Sequence, residues 1–122
     1  MPNKNALEQV FLELRAIILP YANQLDCVVD ADDELSINTT HTLKNGKPLW
    51  FGGVQVKKRY VSFHLMPVYV NPALLQEISP ALKKCMQGKS CFNFTSSDPA
   101  LFAELAALTE AGFKDYCNKG YA

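Results

Sequence analysis

The chain has 122 residues, a length typical of one domain that can bury a sizeable core without disulfides or a structural metal. Hydrophobic residues make up 48% of the chain and aromatic residues 11%, which argues against intrinsic disorder. Twelve basic residues balance twelve acidic residues, and a neutral domain is a poor candidate for binding the phosphate backbone, so we expect no nucleic-acid partner.

The composition of the N-terminal segment and the cysteines predict a cytoplasmic protein. Residues 1–20 mix charged and apolar side chains and lack the continuous apolar region of a signal peptide, and no run of residues is long and apolar enough to predict a membrane span. The four cysteines show no C-x-x-C spacing, so neither a zinc site nor a thioredoxin-like motif is indicated. We expect all four to be free thiols.

The first predicted element is a helix over residues 6–19. Its apolar residues recur at three- and four-residue steps and form one stripe: Leu7, Val10, Phe11, Leu14, Ile17 and Ile18. Asn5 is the expected N-cap, with Glu8 in the capping-box position three residues later. Pro20 should end the helix, because it disfavours helical angles at Leu19.

A change to a two-residue period then predicts strands. Residues 25–30 form a short β-prone run, and residues 35–42 alternate apolar and polar side chains. Asn45-Gly46 predicts a tight hairpin, because both residues tolerate positive φ. The returning strand, residues 49–56, contains Gly52-Gly53, a pair that indicates a bulge or a close approach to the backbone.

A basic turn at residues 57–59 leads into a fourth strand over residues 60–66. Its alternation predicts two faces. One face carries Val61, Phe63 and Leu65. The other carries Tyr60, Ser62, His64 and Met66. If helices cover the sheet on one side only, this second face is open.

The second half of the chain returns to helices. Three of them are predicted from a capping residue followed by proline: Asn71-Pro72, Ser79-Pro80 and Asp98-Pro99. The first two should be short, with Gly88 as the C-cap of the second. A brief strand over residues 90–94 and a final helix over residues 99–118 complete the order α-β-β-β-β-α-α-β-α. The chain is therefore predicted to be one α+β domain over residues 1–122.

Gly88, Lys89 and Ser90 match the end of a phosphate-binding loop. That motif requires a glycine where Lys83 stands, and it requires a strand before it and a helix after it. Here a helix is predicted before the segment and a strand after it. The motif is therefore not a phosphate-binding loop.

Three segments resemble one family: residues 40–69, residues 86–94 and the closing helix from residue 99. They are similar to the YdhG-like proteins, bacterial domains of unknown function with a frataxin-like fold, over about residues 7–116. The resemblance implies a curved antiparallel sheet of about five strands packed on the N- and C-terminal helices. It also implies a possible role as an iron chaperone.

The iron hypothesis places the metal in the acidic segment of residues 26–34, where the carboxylates of Asp30, Asp32, Asp33 and Glu34 would be the ligands. Hard oxygen ligands suit a hard cation. Frataxin-type iron binding, however, uses an acidic first helix. The first predicted helix of this chain offers only Glu8 and Glu13 as acidic residues. An acidic turn is also ordinary solvated surface, and the basic residues 57–59 should lie at the same end of the sheet and could neutralise it.

No catalytic motif is present, so we expect a non-enzymatic domain. Cys91 could in principle pair with a histidine as an activated nucleophile, but its local sequence matches no catalytic signature. The first hypothesis is a small ligand or protein partner on the open sheet face, lined by Trp50, Tyr60, His64, Tyr69 and Lys89. The face could equally be a homodimer contact. Iron binding is the alternative.

Overall fold

A computed structural model describes residues 4–122 of the chain, with side chains from Ala6 onward. The first helix, α1, is Lys4–Ile18. It already includes Asn5, so the predicted N-cap at Asn5 is wrong. The helix stops before Pro20 as predicted, although it ends at Ile18 and not at Leu19. Pro20 lies in the first turn of the 3-10 segment Leu19–Asn23 that follows. None of the helices in residues 4–122 has both the length and the apolar character needed to cross a bilayer.

In residues 4–122 the strands are β1 Asp26–Asp30, β2 Glu34–Thr42, β3 Pro48–Val56, β4 Val61–Leu65, β5 Met86–Gln87 and β6 Cys91–Phe94. These six form one open antiparallel sheet in the order β1-β2-β3-β4-β6-β5. The α+β class and the antiparallel sheet are therefore confirmed, with six strands where about five were expected.

The additional strand is β5, which the sequence placed at a helix end. Gly88 has a φ of +79° and lies in the turn between β5 and β6, so the prediction that it caps a helix is wrong. The short helix before it, α3, is Pro80–Lys83. Both a helix C-cap and a hairpin turn use glycine at positive φ, so the residue type alone does not separate them.

A helix that the sequence did not predict follows β4. Strand β4 ends at Leu65, and α2, Met66–Val70, starts at once with Pro67 in its first turn. The next segment, Pro72–Leu75, is a single 3-10 turn. The Asn71 side chain does not cap this turn. Its amide donates a hydrogen bond to Asp115 at 3.2 Å.

Two of the three predicted helix starts are confirmed. The Ser79 hydroxyl accepts a hydrogen bond from the backbone N–H of Leu82 at 3.1 Å, at the start of α3. The Asp98 carboxylate accepts one from the N–H of Leu101 at 3.1 Å, at the start of α4, Pro99–Asn118. Each cap satisfies one of the backbone donors that a helix leaves free at its N-terminus.

The core lies between one face of the sheet and the helices α1 and α4. Its largest fully buried side chains come from both layers: Leu14 and Ile18 of α1, Phe51, Phe63 and Phe92 of the sheet, and Tyr116 of α4. Gly112 allows α4 to approach α2 closely, because a Cβ at this position would lie 2.9 Å from the Cβ of Pro67.

Strand β3 carries the predicted bulge. Its pairing with β2 shifts by one residue, since Ile37 faces Gly52 whereas the next residue, Asn38, faces Trp50. Gly52 points toward α1, and a Cβ there would lie 2.9 Å from Ile18 Cδ1. Gly53 points toward the opposite face of the sheet. The bulge and the close approach predicted from Gly52-Gly53 are both confirmed.

Candidate functional site

The sheet face opposite α1 and α4, called the open face below, carries two rows of side chains across the strands. Strand register places Ser36, Gly53, His64 and Cys91 side by side on β2, β3, β4 and β6. A second, parallel row consists of Glu34, Gln55, Ser62 and Asn93. These residues are separated by up to 59 positions in the chain, and only the antiparallel register brings them together.

The indole of Trp50 lies over Gly53 in the middle of the open face. Its Nε1–H donates a hydrogen bond to Ser36 Oγ at 3.0 Å, and its ring centroid lies 5.3 Å from that of His64. A Cβ on Gly53 would lie 3.2 Å from Trp50 Cζ2, so glycine leaves the space that the ring needs. We call Ser36, Trp50, Gly53 and His64 the Trp50 cluster. It holds a half-buried aromatic ring in one fixed orientation.

Cys91 extends the cluster on the side of β6. Its Sγ lies 3.9 Å from His64 Nε2, but the thiol donates to Asn93 Oδ1 at 3.3 Å. The same Asn93 oxygen accepts a hydrogen bond from the Ser62 hydroxyl at 2.9 Å. The Cys91 thiol therefore lies within reach of both Asn93 and His64, and its contact with Asn93 is the shorter of the two.

The electrostatics of this pair favour neutral groups. Burial lowers the pKa of His64 below its ordinary value, and the positive charge of Lys57 lowers it further. Burial raises the pKa of the Cys91 thiol, an effect that the neighbouring Ser62 side chain and the charge of Lys57 oppose only in part. A nucleophilic cysteine needs a thiolate, so the geometry and charge indicate a thiol packed beside a neutral imidazole.

The open face is nearly flat. The depression between Trp50, Gln55 and His64 encloses only about 60 Å³, room for about two water molecules. Small-molecule sites in proteins are usually several times larger, from about 300 Å³ upward. The face therefore offers a surface for contact and no deep pocket.

The five residues predicted to line the open face fall into three places. Trp50 and His64 are in contact, as described above. Tyr60 precedes β4, in the turn where its carbonyl accepts a hydrogen bond from the N–H of Lys57. Tyr69 of α2 and Lys89 of the β5–β6 turn lie together, with Lys89 Nζ 5.9 Å from the centre of the Tyr69 ring. This second pair lines a separate groove of about 540 Å³.

The predicted metal ligands are not gathered into a site. Asp30 forms an ion pair with Arg15 of α1 at 2.8 Å. Asp32 and Asp33 line a depression together with Lys57 and Lys58, so the acidic and basic turns do lie at the same end of the sheet. Within residues 4–122, no group of three or more His, Cys, Asp or Glu side chains could hold a metal ion.

Sequence reasoning missed Ser36 and Asn93, the two hydrogen-bonding partners that order the open face. The alternation of β2 and β6 gives the face on which each residue lies. It does not give the register, which depends here on the bulge in β3. The hydrogen bond between Trp50 and Ser36 could therefore not be derived from the pattern alone.

Comparison with family models, with curated proteins and with solved structures finds no match for this chain. The resemblance to the YdhG-like proteins therefore stays a prediction, and the functional argument depends on the geometry of the chain itself.

Proposed function

We propose that this domain is a non-enzymatic binding module that recognises a protein partner through its open face. The observation that carries this proposal is the Trp50 cluster, in which Ser36, Gly53 and His64 fix an aromatic ring on a sheet face that the helices leave uncovered. Tryptophan is among the residues that most often dominate binding energy at protein interfaces. A ring that is already ordered loses little conformational entropy when the partner binds.

The flatness of the face favours a protein over a small molecule. A depression of about 60 Å³ cannot enclose a metabolite, whereas protein interfaces are broad and mostly flat. The groups around Trp50 include the polar amides of Gln55 and Asn93, and the carboxylate of Glu34 lies at the edge of the same depression. A fitting partner would pack an apolar side chain on the indole and form hydrogen bonds with the surrounding amides.

An enzymatic role at the same place has less support. The Cys91 thiol donates to Asn93 and has a raised pKa, so this position lacks the thiolate that covalent catalysis needs. A metal-handling role is not favoured by any observation either, since Arg15 engages Asp30 and two lysines share the depression of Asp32 and Asp33.

We also propose a YdhG-like or frataxin-like fold and a cytoplasmic location for this protein. The helix-sheet-helix order, with an antiparallel sheet packed on the first and last helices, supports a YdhG-like or frataxin-like fold at the level of fold class. The cytoplasmic location continues to depend on the sequence pattern and on four cysteines that form no disulfide among residues 4–122.

Site-specific photo-crosslinking in cells would test the proposal. In one variant a photoreactive side chain replaces Gln55 on the open face. In a second variant it replaces Lys114 on the exposed side of α4. We expect a discrete protein adduct from position 55 that is weaker or absent from position 114. A self-adduct that also forms with the purified protein would identify the partner as a second copy of this chain.

A substitution series makes the result specific for the Trp50 cluster. Trp50→Ala should reduce the adduct from position 55 about tenfold or more, as expected for the loss of an interface hot spot. Ser36→Ala keeps the ring but removes its hydrogen bond, and should reduce the adduct less. Leu12→Ala, which truncates an exposed apolar residue elsewhere, is the matched control. An adduct that survives Trp50→Ala in a folded protein contradicts the proposal.

A further inference from the structure

The groove that contains Tyr69 and Lys89 is separate from the open face. It lies between α2 with its following 3-10 turn and the segment formed by α3 and the β5–β6 turn. Its apolar lining includes Val68, Leu75 and Met86. With a volume of about 540 Å³, it is within the size range of small-molecule sites.

The rim of the groove is positively charged. Lys83 of α3 and Lys89 of the β5–β6 turn both line it, and no aspartate or glutamate does. In the described part of the chain, the ion pairs engage Arg15, Lys114 and Lys119, so neither groove lysine has a carboxylate partner. Two unpaired cations above an apolar floor attract a ligand that carries a negative charge.

Tyr69 adds an aromatic wall. Its side chain is 54% exposed, although Val68 beside it is fully buried. The ammonium group of Lys89 lies 5.9 Å from the ring centre, a distance at which a cation and an aromatic face attract each other. Both side chains line the groove, and the phenol can donate a hydrogen bond to a ligand oxygen.

We propose that this groove binds a small organic anion that has an apolar body and a carboxylate head. The apolar body packs on Val68, Leu75 and Met86, and the carboxylate lies at the rim between Lys83 and Lys89. A compact inorganic anion would leave the apolar floor unfilled, and a neutral hydrocarbon would leave the lysines without a partner. The site shares no lining residue with the Trp50 cluster, so it stands independently of the proposed protein interface.

The test uses three eight-carbon probes whose head groups differ in charge: octanoate, octanol and octylamine. Each is titrated into ¹⁵N-labelled protein while amide chemical shifts are recorded. We expect saturable shifts from octanoate at residues 68–75 and 83–89. Binding of octanol should be several-fold weaker, and octylamine should be the weakest of the three because the rim lysines repel it.

Substitution of neighbouring lysines separates the groove from general surface charge. Lys83→Gln and Lys89→Gln should each raise the Kd of octanoate about two- to fivefold, as expected for the loss of one partly exposed charge pair. Lys84→Gln is the matched control. It changes the net charge equally, but Lys84 is exposed and does not line the groove, so the Kd should stay unchanged.

Four results would overturn the proposal. Equal affinities for octanoate and octanol would show that the lysines take no part. Equal effects of Lys83→Gln and Lys84→Gln would show that only the overall charge matters. Octanoate shifts centred on Trp50 and His64, or no saturation at millimolar octanoate, would show that this groove is not the site.

Discussion

The absence of a side chain at Gly53 leaves room for the side chain of Trp50. A Cβ on Gly53 would lie 3.2 Å from Trp50 Cζ2, which is closer than most real contacts of a Cβ atom. With glycine there, the indole can lie flat across β3 and reach Ser36 on one side and His64 on the other. Glycine at position 53 thus leaves room for the indole on the open face, and also for the Leu35 carbonyl oxygen, which would lie only 2.5 Å from a Cβ there.

The lowered pKa of His64 makes stability depend on pH. The folded state disfavours the imidazolium, so the unfolded chain binds a proton at a higher pH than the folded protein does. Stability should therefore fall as the pH drops through the ordinary histidine value of 6.5 toward the folded-state value. Urea unfolding between pH 7.5 and 5 measures this loss.

His64→Gln is the matching variant for this prediction. Glutamine retains a polar side chain but does not titrate, so the variant should lose less stability than the wild type over the same pH range. Identical pH profiles for the two proteins would mean that the His64 environment does not penalise the charged form.

At the scale of elements, a capping residue followed by proline correctly marked two of the three helix starts that it predicted. Ser79-Pro80 and Asp98-Pro99 both start helices through side-chain caps. The same reasoning missed α2, because Pro67 follows Met66, which has no capping side chain and continues the strand pattern. It also placed Gly88 at a helix end. Both α2 and the hairpin turn at Gly88 depend on contacts between residues that are distant in the chain, and a local sequence pattern does not contain those contacts.

Gly112 should resist substitution although it lies inside a helix. Gly→Ala at an open helical site usually stabilises by about 0.5–1 kcal/mol. Here the new methyl group would lie 2.9 Å from the rigid ring of Pro67, so α2 or α4 must move. We expect Gly112→Ala to lower the free energy of unfolding by about 1–2 kcal/mol, measured by urea denaturation.

Ala103→Gly, at an exposed position of α4, calibrates the helix propensity in the same element. It should cost about 0.5–1 kcal/mol. If Gly112→Ala instead stabilises the protein by a similar amount, the close packing of α4 on α2 is not as tight as described.

At the scale of the whole molecule, the buried side chains form one core that includes residues of α1, all the central strands and α4. We expect the chain to unfold in a single cooperative transition. Trp50, the only tryptophan, reports on the centre of the sheet, whereas far-UV circular dichroism reports on the helices as well. The two urea unfolding curves should coincide. A separate earlier transition of the tryptophan signal would contradict this.

The sequence predicted the class of the fold and its antiparallel sheet, because residue periodicity and turn chemistry are local properties. The candidate site was predicted less well. Trp50 and His64 were correctly assigned to one surface, but Tyr69 and Lys89 belong to another groove because α2 turns the chain away after Leu65. The register between strands depends on the whole chain, and so does the direction in which a helix leaves a strand. A local sequence pattern encodes neither.

The two outermost strands restrict how this protein can associate. Strand β1 is bounded by Asp26 and Asp30 and has an irregular register around Val28, whereas β5 has only two residues. Charges, bulges and short length each discourage the addition of a foreign strand. Growth of the sheet beyond its borders, the usual route to fibrils, is therefore disfavoured at both margins.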